Sequence, residues 1–480
     1  MIKNKEKNMN NYFTTQIIKN ILTKQEILSG NFGFEKEGLR IKKTGELALT
    51  PHPKIFGDKL TNPYITTDFS ESQVEIVTPT FNNINKAYQC LSFIVDLVNT
   101  SIPEDEYIWN QSLPCILPPD TEIPLAKYKG KKGENSENYR KQLAKKYGTK
   151  KQMISGIHYN YSLNEKTIEK LYKNYPKKIT YKNFKNEIYL KITRNYLRLK
   201  WFIIYITGAS VAAHKTFTTE CINLMKLEDQ HESHYTNQGP SYRNSHIGYK
   251  NLENFYPRYD TVENFSKDVK TYIQEGKLSE AKELYTQIRL KPKDRENYLQ
   301  SLEEDGILYV EVRSIDINPF EKSGISKQDA EFVHLFLIYL LLLEENKYEN
   351  WQEEGLYNEE IVAEKGFNPN TRLKRNGEKI KIQKWANQIL DNIETINTTF
   401  NLEKENLIKN IRERINNQQK THAKQLQKIV ENKGYIPSQI SIAKHNKETS
   451  KKLIDLETIY NNKELTKYYE KGLPEHKNRM

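Results

Sequence analysis

Four carboxylates stand inside segments that otherwise show the alternating pattern of β-strands. They are Glu35, Glu37, Asp68 and Glu75. Side chains two residues apart in an extended chain point to the same side, so Glu35 and Glu37 share one face while Phe34 occupies the other. In the segment QVEIV, Glu75 likewise alternates with apolar neighbours. The pattern predicts that these acids converge on one polar face.

Two later segments repeat the arrangement. In ISGIHYNYSL, His158 and Asn160 alternate with apolar residues, and in ILYVEVRSIDINPF, Glu311 and Arg313 do the same. If the four strands share one antiparallel sheet whose apolar face packs on helices, the other face collects five carboxylates, an imidazole and a guanidinium. The alternative for any one of these acids is a solvated side chain on an exposed strand, and the repetition in four strands disfavours it.

The chemistry predicted for such a face is the binding of a hard cation. Clustered carboxylates repel one another unless something positive lies between them, and an oxygen-rich set with one imidazole suits Mg²⁺, or alternatively Mn²⁺, better than zinc. Such metals accompany nucleotide phosphates. Arg313 shares the face of Glu311, where its guanidinium could hold a phosphate or carboxylate through two hydrogen bonds. The alternative for Arg313 is an ion pair with a neighbouring acid.

No glycine-rich phosphate loop is present. Neither G-x-x-x-x-G-K-[ST] nor G-x-G-x-x-G after a strand occurs. A bound ATP is therefore expected to use other residues, and Arg289 and Lys291 in the segment TQIRLKPK are the candidates for contact with its phosphates. The alternative is that these two basic residues are simply solvated.

Composition narrows the class of protein. The chain has 480 residues, and its 74 Lys and Arg are interspersed with 62 Asp and Glu, giving a net charge of +12 without a basic arm or stripe. This distribution disfavours nucleic-acid binding. The longest apolar runs are shorter than the roughly 18 residues needed to cross a bilayer, so no membrane association is expected. They predict buried helices instead.

Cysteine usage and the N-terminus predict a cytoplasmic protein. Cys90, Cys115 and Cys221 are odd in number, widely spaced and without a C-x-x-C pair, so neither a disulfide framework nor a zinc site is indicated. The first 13 residues have no apolar core of the kind found in a secretory signal.

Helical periodicity predicts the elements that carry the acidic strands. Residues 10–29 predict one amphipathic helix ended by Gly30, and residues 87–99 predict a helix on the back of the sheet. Residues 326–480 are helix-rich and dominated by Lys, Asn and Glu, with no cluster that suggests chemistry.

Ordered motifs then give a family resemblance over residues 30–330. They are FEKEGLR, TPHP, ITTDFSESQVE, SLPC, YR at 139–140, ISGIHYNYSL, SYRNSHIGY and EVRSIDINPF. Together these segments resemble the bacterial glutamate–cysteine ligases, or γ-glutamylcysteine synthetases, the first enzymes of glutathione synthesis.

The resemblance implies a fold and a reaction. The fold is α+β, a twisted antiparallel sheet that forms a funnel backed by helices, similar to the catalytic fold of glutamine synthetase. The reaction is the joining of the γ-carboxyl of L-glutamate to the amine of L-cysteine through γ-glutamyl phosphate, with ATP as co-substrate. Mg²⁺ is the metal that the resemblance implies.

Carried over motif by motif, the resemblance also implies roles for particular residues. The implied metal ligands are Glu35, Glu37, Asp68, Glu75, His158 and Glu311. Arg313, near the transferred phosphoryl group, and Glu75 are the implied catalytic residues. Asn160 and Arg243 would bind glutamate. The residues that would surround cysteine are Phe69, Tyr139, Leu143 and Tyr249.

Organisation and partners complete the expectations. Residues 1–330 are expected to form the catalytic α+β part and residues 331–480 a helix-rich region packed on it. Some relatives carry a second domain that adds glycine, and this chain is expected to be monofunctional, with small-molecule substrates and a separate glutathione synthetase. The alternatives are a glutamate–amine ligase with another amine acceptor and a non-catalytic binding module.

Overall fold

The strands of the computed structural model, which describes residues 12–475, lie mostly in the first two thirds of the chain. In chain order they are β1 (Gly30–Lys42), β2 (Ile65–Thr67), β3 (Gln73–Val77), β4 (Glu106–Trp109), β5 (Ile157–Leu163), β6 (Ala212–His214), β7 (Leu227–Glu228), β8 (Ser233–Tyr235), β9 (Ile288–Lys291), β10 (Tyr309–Ile315), β11 (Arg372–Arg375) and β12 (Glu378–Lys381).

Within these described residues, seven strands form the main sheet, in the order β2-β3-β1-β5-β10-β9, with β4 also paired to β1. Every pairing in it is antiparallel. The long strand β1 is the centre: β3 pairs along one edge, while β5 and then β4 pair along the other. A strand of 13 residues can carry neighbours on both sides over different parts of its length.

Helices account for most of the remaining described chain. They are α1 (Thr15–Ile21), α2 (Lys24–Ile27), α3 (Ile84–Ser101), α4 (Gly130–Tyr147), α5 (Glu165–Lys173), α6 (Tyr181–Thr207), α7 (Thr219–Leu224), α8 (Val262–Gln274), α9 (Tyr298–Asp305), α10 (Lys327–Leu342), α11 (Trp351–Lys365), α12 (Ile382–Phe400), α13 (Glu405–Asn416), α14 (His422–Lys433), α15 (Tyr435–Leu453), α16 (Leu456–Tyr460) and α17 (Lys463–Gly472).

One face of the main sheet is apolar and lies on helices. Phe34 of β1 is opposite Tyr159 of β5, which is in turn opposite Val312 of β10, and all three are buried. Helices α3 and α6 pack behind these strands, and His334 of α10 lies with its ring centroid 4.8 Å from that of Phe32. Because side chains alternate along each strand, the intervening residues face the opposite side. The predicted fold class is confirmed.

The sequence prediction for residues 10–29 is wrong. The described part of that segment forms two short helices, α1 and α2, separated at Leu22. Thr23 begins the second helix with a capping box, in which its hydroxyl accepts from Glu26 N and the Glu26 carboxylate accepts from Thr23 N. This S/T-x-x-E/Q pattern is a helix start signal that the apolar periodicity concealed. The helix predicted over 87–99 is confirmed as α3.

Helices that follow residue 330 pack directly on earlier elements. Helix α11 lies along α6, and α15 contacts both α3 and β4. The division into parts at residues 1–330 and 331–480 stays a prediction. Residues 1–11, which carry most of the segment used to argue against a secretory signal, lie outside the described residues.

No helix within residues 12–475 is long and apolar enough to cross a membrane.

A buried ion pair joins the start of α10 to the helices that follow it. Asp329 is 2% exposed, and its carboxylate oxygens lie 2.7 Å from Arg414 Nη1 and 2.8 Å from His422 Nε2. Burial opposes ionisation of Asp329, but the charges of Arg414 and His422 outweigh it and lower its pKa. The carboxylate therefore stabilises the fold at neutral pH.

Asp329→Asn should lower the free energy of unfolding at pH 7 by about 3 kcal/mol, because it leaves Arg414 buried without a counter-charge. A carboxylate with a depressed pKa stabilises above its unfolded-state value, near 4, and that stabilisation is lost as the pH falls further. Urea unfolding from pH 7 to pH 3 should therefore show the difference between wild type and variant shrinking below about pH 4. A difference that is constant across this range would contradict the assignment.

Candidate active site

Strand pairing places Glu35 and His158 side by side on the polar face of the sheet. The two residues are directly opposite in the β1–β5 register. His158 Nδ1 lies 3.0 Å from Glu35 Oε2, and Asn160 Nδ2 donates to Glu35 Oε1 at 3.1 Å. His158 Nε2 lies 3.5 Å from an oxygen of Glu37, so the imidazole stands between two carboxylates of the same strand.

Glu311 is held from both sides by cations. It is fully buried on β10, where one carboxylate oxygen lies 2.6 Å from Lys291 Nζ and the other 2.7 Å from Arg313 Nη1. Arg289 is the cross-strand partner of Glu311 in the β9–β10 register. Its guanidinium nevertheless points elsewhere, donating to the carbonyl oxygen of Lys282 at 2.7 Å.

Three of the six residues predicted as metal ligands form a compact group. One ligand atom from each of Glu35, His158 and Glu311 lies within 4.8 Å of the others. Glu37 and Glu75 are brought opposite each other by the β1–β3 register, with Asp68 in the turn that leads into β3. The structure thus divides the predicted ligands into two adjoining sets of three.

The two carboxylates of the first set, Glu35 and Glu311, are ionised. Burial and the Glu311 charge oppose ionisation of Glu35, but its hydrogen bond with His158 and the Lys291 charge outweigh them, and the pKa of Glu35 is lowered to about 2. Burial also opposes ionisation of Glu311, yet Lys291 and Arg313 hold the pKa of that carboxyl well below its usual range. Burial and the Arg313 charge lower the pKa of His158, which favours a neutral imidazole.

Glu37 and Glu75 of the second set resist ionisation. Burial and the Asp68 charge raise the pKa of Glu37 to about 8. Burial, followed by repulsion from Glu35 and Asp68, raises the pKa of Glu75 well above its usual range. The positive charge of Arg140 only partly opposes this repulsion. These acids lie close together with too little positive charge around them.

Arg243 lies beside this second set in a buried 3₁₀ turn, Tyr242–Asn244. Its backbone N–H donates to Ser210 Oγ at 3.0 Å. A Cβ atom at Gly156 would lie 2.3 Å from a guanidinium nitrogen of Arg243, so only glycine leaves room for this side chain. Residues 241–245 are all buried.

A narrow pocket lies between the two arginines of the site. Its lining consists of Arg243, Asn244, Tyr249, Tyr285, Thr286, Gln287 and Arg313. The Tyr249 and Tyr285 rings form one wall, with centroids 4.8 Å apart. Two guanidiniums and tyrosine hydroxyls around one small space suit an anionic, polar ligand.

The other residues predicted around cysteine lie on nearby elements. Tyr139 of α4 has the Lys282 ammonium 4.5 Å from its ring centroid, and Leu143 is buried one turn further along that helix. Phe69 is buried directly after Asp68. Burial and then the neighbouring Tyr285 hydroxyl raise the pKa of Tyr139. Tyr285 thus approaches both Tyr139 and Tyr249, which the sequence analysis did not anticipate.

Sequence reasoning also missed a buried carboxylate beside Arg243. Asp316 accepts from Ala209 N at 2.9 Å and from Ser210 Oγ at 2.6 Å, and it attracts Arg243. It fixes the turn after α6 against the end of β10. The signal was available, since Asp316 lies within the motif EVRSIDINPF, but strand alternation alone did not assign it a role.

The fold and site together define an α+β protein in which an antiparallel sheet carries carboxylates and guanidiniums on one face. The family model described as glutamate-cysteine ligase matches residues 16–278 and 256–362. The chain belongs to the glutamate–cysteine ligase family.

Curated relatives are about twice as long as the matched part of this chain. The glutathione biosynthesis bifunctional protein GshAB of Clostridium perfringens is 40% identical over 438 residues, covering 89% of this chain and 55% of that protein. The protein of the same name from Listeria monocytogenes serovar 1/2a is 38% identical, covering 89% and 56% respectively. The chain thus spans about half the length of these relatives. They do not support the expectations of a monofunctional enzyme and a separate glutathione synthetase.

Two solved structures share the fold. A glutamate–cysteine ligase from Francisella tularensis in complex with AMP has a TM-score of 0.84 and 26% identity, with 94% of each chain covered. A bifunctional glutathione synthetase from Pasteurella multocida has a TM-score of 0.80 and 29% identity, covering 91% of this chain and 55% of that one.

Glu75→Gln should stabilise the protein when divalent metal has been removed by a chelator. A carboxyl whose pKa is raised in the folded state costs stability above its unfolded-state pKa, and the neutral amide avoids this cost. We expect a gain of about 1 kcal/mol at pH 8. It should vanish below about pH 4, where both states hold the protonated acid.

The measurement is urea unfolding in chelator, with Glu122→Gln at an exposed position as the control. The control should leave the unfolding free energy unchanged. A loss of stability in Glu75→Gln at pH 8 would contradict the account of repulsion.

Proposed function

We propose that this chain catalyses the ATP-dependent joining of the L-glutamate γ-carboxyl to the L-cysteine amine, the first step of glutathione biosynthesis. The observation that carries the proposal is the acid-lined sheet face, in a chain of the glutamate–cysteine ligase family. Support for ATP as co-substrate comes from the Francisella ligase, whose structure contains AMP. The proposal covers the step that forms the dipeptide.

The donor set fits a hard divalent cation. Its atoms are carboxylate oxygens and one imidazole nitrogen, which suit Mg²⁺, with Mn²⁺ as an alternative. His158 Nδ1 faces Glu35, while buried Nε2 has no hydrogen-bond partner among the described residues and faces a Glu37 oxygen. A bound cation would be favoured here, because it could accept the lone pair of Nε2 and the charge of the Glu37 oxygen together. A bound cation would also relieve the repulsion between Glu75 and the neighbouring carboxylates.

On this proposal, two adjoining sets of residues hold the cations. Glu35, His158 and Glu311 form one set and Glu37, Asp68 and Glu75 the other. When bound, Mg²⁺ would neutralise the triphosphate and align the transferring phosphoryl group with the incoming carboxylate.

The activation step follows from the thermodynamics of amide formation. Joining a carboxylate to an amine in water is uphill, so the γ-carboxylate oxygen attacks the γ-phosphorus of ATP, releasing ADP and forming γ-glutamyl phosphate. The cysteine nitrogen then attacks the acyl carbon, phosphate leaves, and the ammonium proton passes to solvent. Arg313, held by Glu311, would place two fixed N–H donors on the transferring oxygens.

The pocket between Arg243 and Arg313 would bind glutamate. Arg243 is buried and would pair with a substrate carboxylate. Asn160 donates to Glu35, and its Oδ1 is left without a partner among the described residues, so it can accept from the substrate ammonium group. Cysteine would lie against Tyr249, surrounded by Phe69, Tyr139 and Leu143.

The nucleotide would approach the sheet edge formed by β9. A pocket of about 160 Å³ adjoins this strand, with Tyr259, Phe265 and Tyr298 as aromatic lining and Arg289 and Lys291 as basic lining. Lys291 already neutralises Glu311, so it lies between this pocket and the acids. Aromatic rings suit an adenine base and the cations suit its phosphates.

The remaining assignments are proposals of organisation. Residues 1–330 would supply the reaction and residues 331–480 would pack on them as a helix-rich support. A cytoplasmic location follows the same proposal, since the three cysteines are buried and free.

The experiment supplies purified protein with Mg²⁺, ATP, glutamate and cysteine and measures ADP and γ-glutamylcysteine. We expect both products in equal amounts, with no dipeptide when cysteine is omitted. The second candidate, retained because the acids and Arg313 would serve any amine acceptor, is a glutamate–amine ligase. Competing amines such as polyamines should not replace cysteine; turnover that ignores cysteine and follows another amine would favour this second candidate.

A further inference from the structure

A buried carboxylate on α11 connects the two protein segments that wall the arginine pocket. Glu359 is 1% exposed and forms ion pairs with Lys200 of α6 and with Lys250, whose Nζ lies 3.0 Å from Oε1. The same oxygen accepts a hydrogen bond of 2.8 Å from Gln287 Nε2. One carboxylate thus binds three side chains from three separate parts of the chain.

One of these partners lines the pocket, and a second is adjacent in the sequence to a residue that lines it. Lys250 follows Tyr249, and Tyr249 N donates to the carbonyl oxygen of Arg243 at 3.0 Å. Gln287 lines the pocket, and its own carbonyl oxygen accepts from Arg313 N at 2.9 Å. The backbone of each pocket arginine is therefore hydrogen-bonded to a segment that Glu359 holds.

Asn251 ties the same two segments together a short distance away. Its Oδ1 accepts from Tyr285 N at 2.8 Å, and its Nδ2 donates to the carbonyl oxygen of Glu283 at 2.8 Å. The Asn251 hydrogen bonds and the Glu359 contacts thus link the loop around Tyr249 to the segment before β9 at two points. These links hold the two sides of the pocket at a fixed separation.

We propose that Glu359 is a positioning residue that fixes the distance between Arg243 and Arg313 by holding Lys250 and Gln287. The inference rests on the proposed function for what the pocket binds. A buried ion pair adds little to stability compared with an apolar replacement, so its stronger contribution is a fixed geometry. Displacing a substrate-binding group by about 1 Å can cost on the order of 10²-fold in rate.

The test compares Glu359→Gln with Asp329→Asn. Both changes convert a buried carboxylate with two basic partners into an amide, and Asp329 lies outside the pocket. Both variants should lose thermal stability. Only Glu359→Gln should raise the KM for glutamate and lower kcat/KM, by about 10- to 100-fold. Wild-type KM and kcat/KM in Glu359→Gln, at reduced stability, would overturn the proposal.

Lys250→Met is the second variant, because it removes one link while Glu359 keeps Lys200 and Gln287. Hydrogen exchange measured on peptides over residues 241–251 and 284–291 should become faster in Lys250→Met and unchanged in Asp329→Asn. Unchanged exchange in both variants would contradict the positioning role. This readout needs no turnover, so a wild-type protein that forms no dipeptide would refute the proposed function while the exchange comparison still decides the role of Glu359.

Discussion

Electrostatic repulsion among carboxylates on one face of a buried sheet is the constraint on which the site depends. The register of β1 with β3 and β5 leaves no choice of direction, since Glu35 must face the side of His158 and Glu37 the side of Glu75. Part of this negative charge is neutralised by cationic side chains of the protein, since Lys291 and Arg313 form ion pairs with Glu311. Around Glu37 and Glu75 the positive charge is insufficient, and burial together with the remaining repulsion raises the pKa of both carboxyls. A sheet built this way is adapted to a ligand rather than to stability.

Local alternation explains why the sheet and its acidic face were predictable from the sequence. His158 and Glu311 each stand between apolar residues that must face the helices, and Glu35 follows the apolar Phe34, so the polar side of each strand follows without knowledge of the pairing. Alternation does not give the pairing order. It therefore could not show that the five acids and the imidazole divide into two sets of three, or that Arg289 turns its guanidinium away from Glu311.

Contacts between distant segments explain what the sequence could not supply. Strand alternation assigned no role to Asp316, Glu359 lies beside Glu360 in a charged helical segment, and residues 326–480 showed no cluster that suggested chemistry. The partners of Asp316 and Glu359 lie about 70 to 160 residues away, on α6 and the turn after it, on the loop after Arg243 and on the segment before β9. The packing of α11 along α6 brings Glu359 to Lys200. The end of the first helix at Leu22 was missed for a different reason. The capping box that starts the next helix is visible in the sequence, but the apolar periodicity across residues 10–29 favoured a single helix.

The central claim, that the two sets of donors hold divalent cations, is tested most directly by anomalous diffraction from crystals grown with Mn²⁺ and a non-hydrolysable ATP analogue. The account predicts Mn²⁺ peaks bounded by Glu35, His158 and Glu311 and by Glu37, Asp68 and Glu75. Clear density for the nucleotide with no Mn²⁺ peak within coordination distance of either set would contradict it.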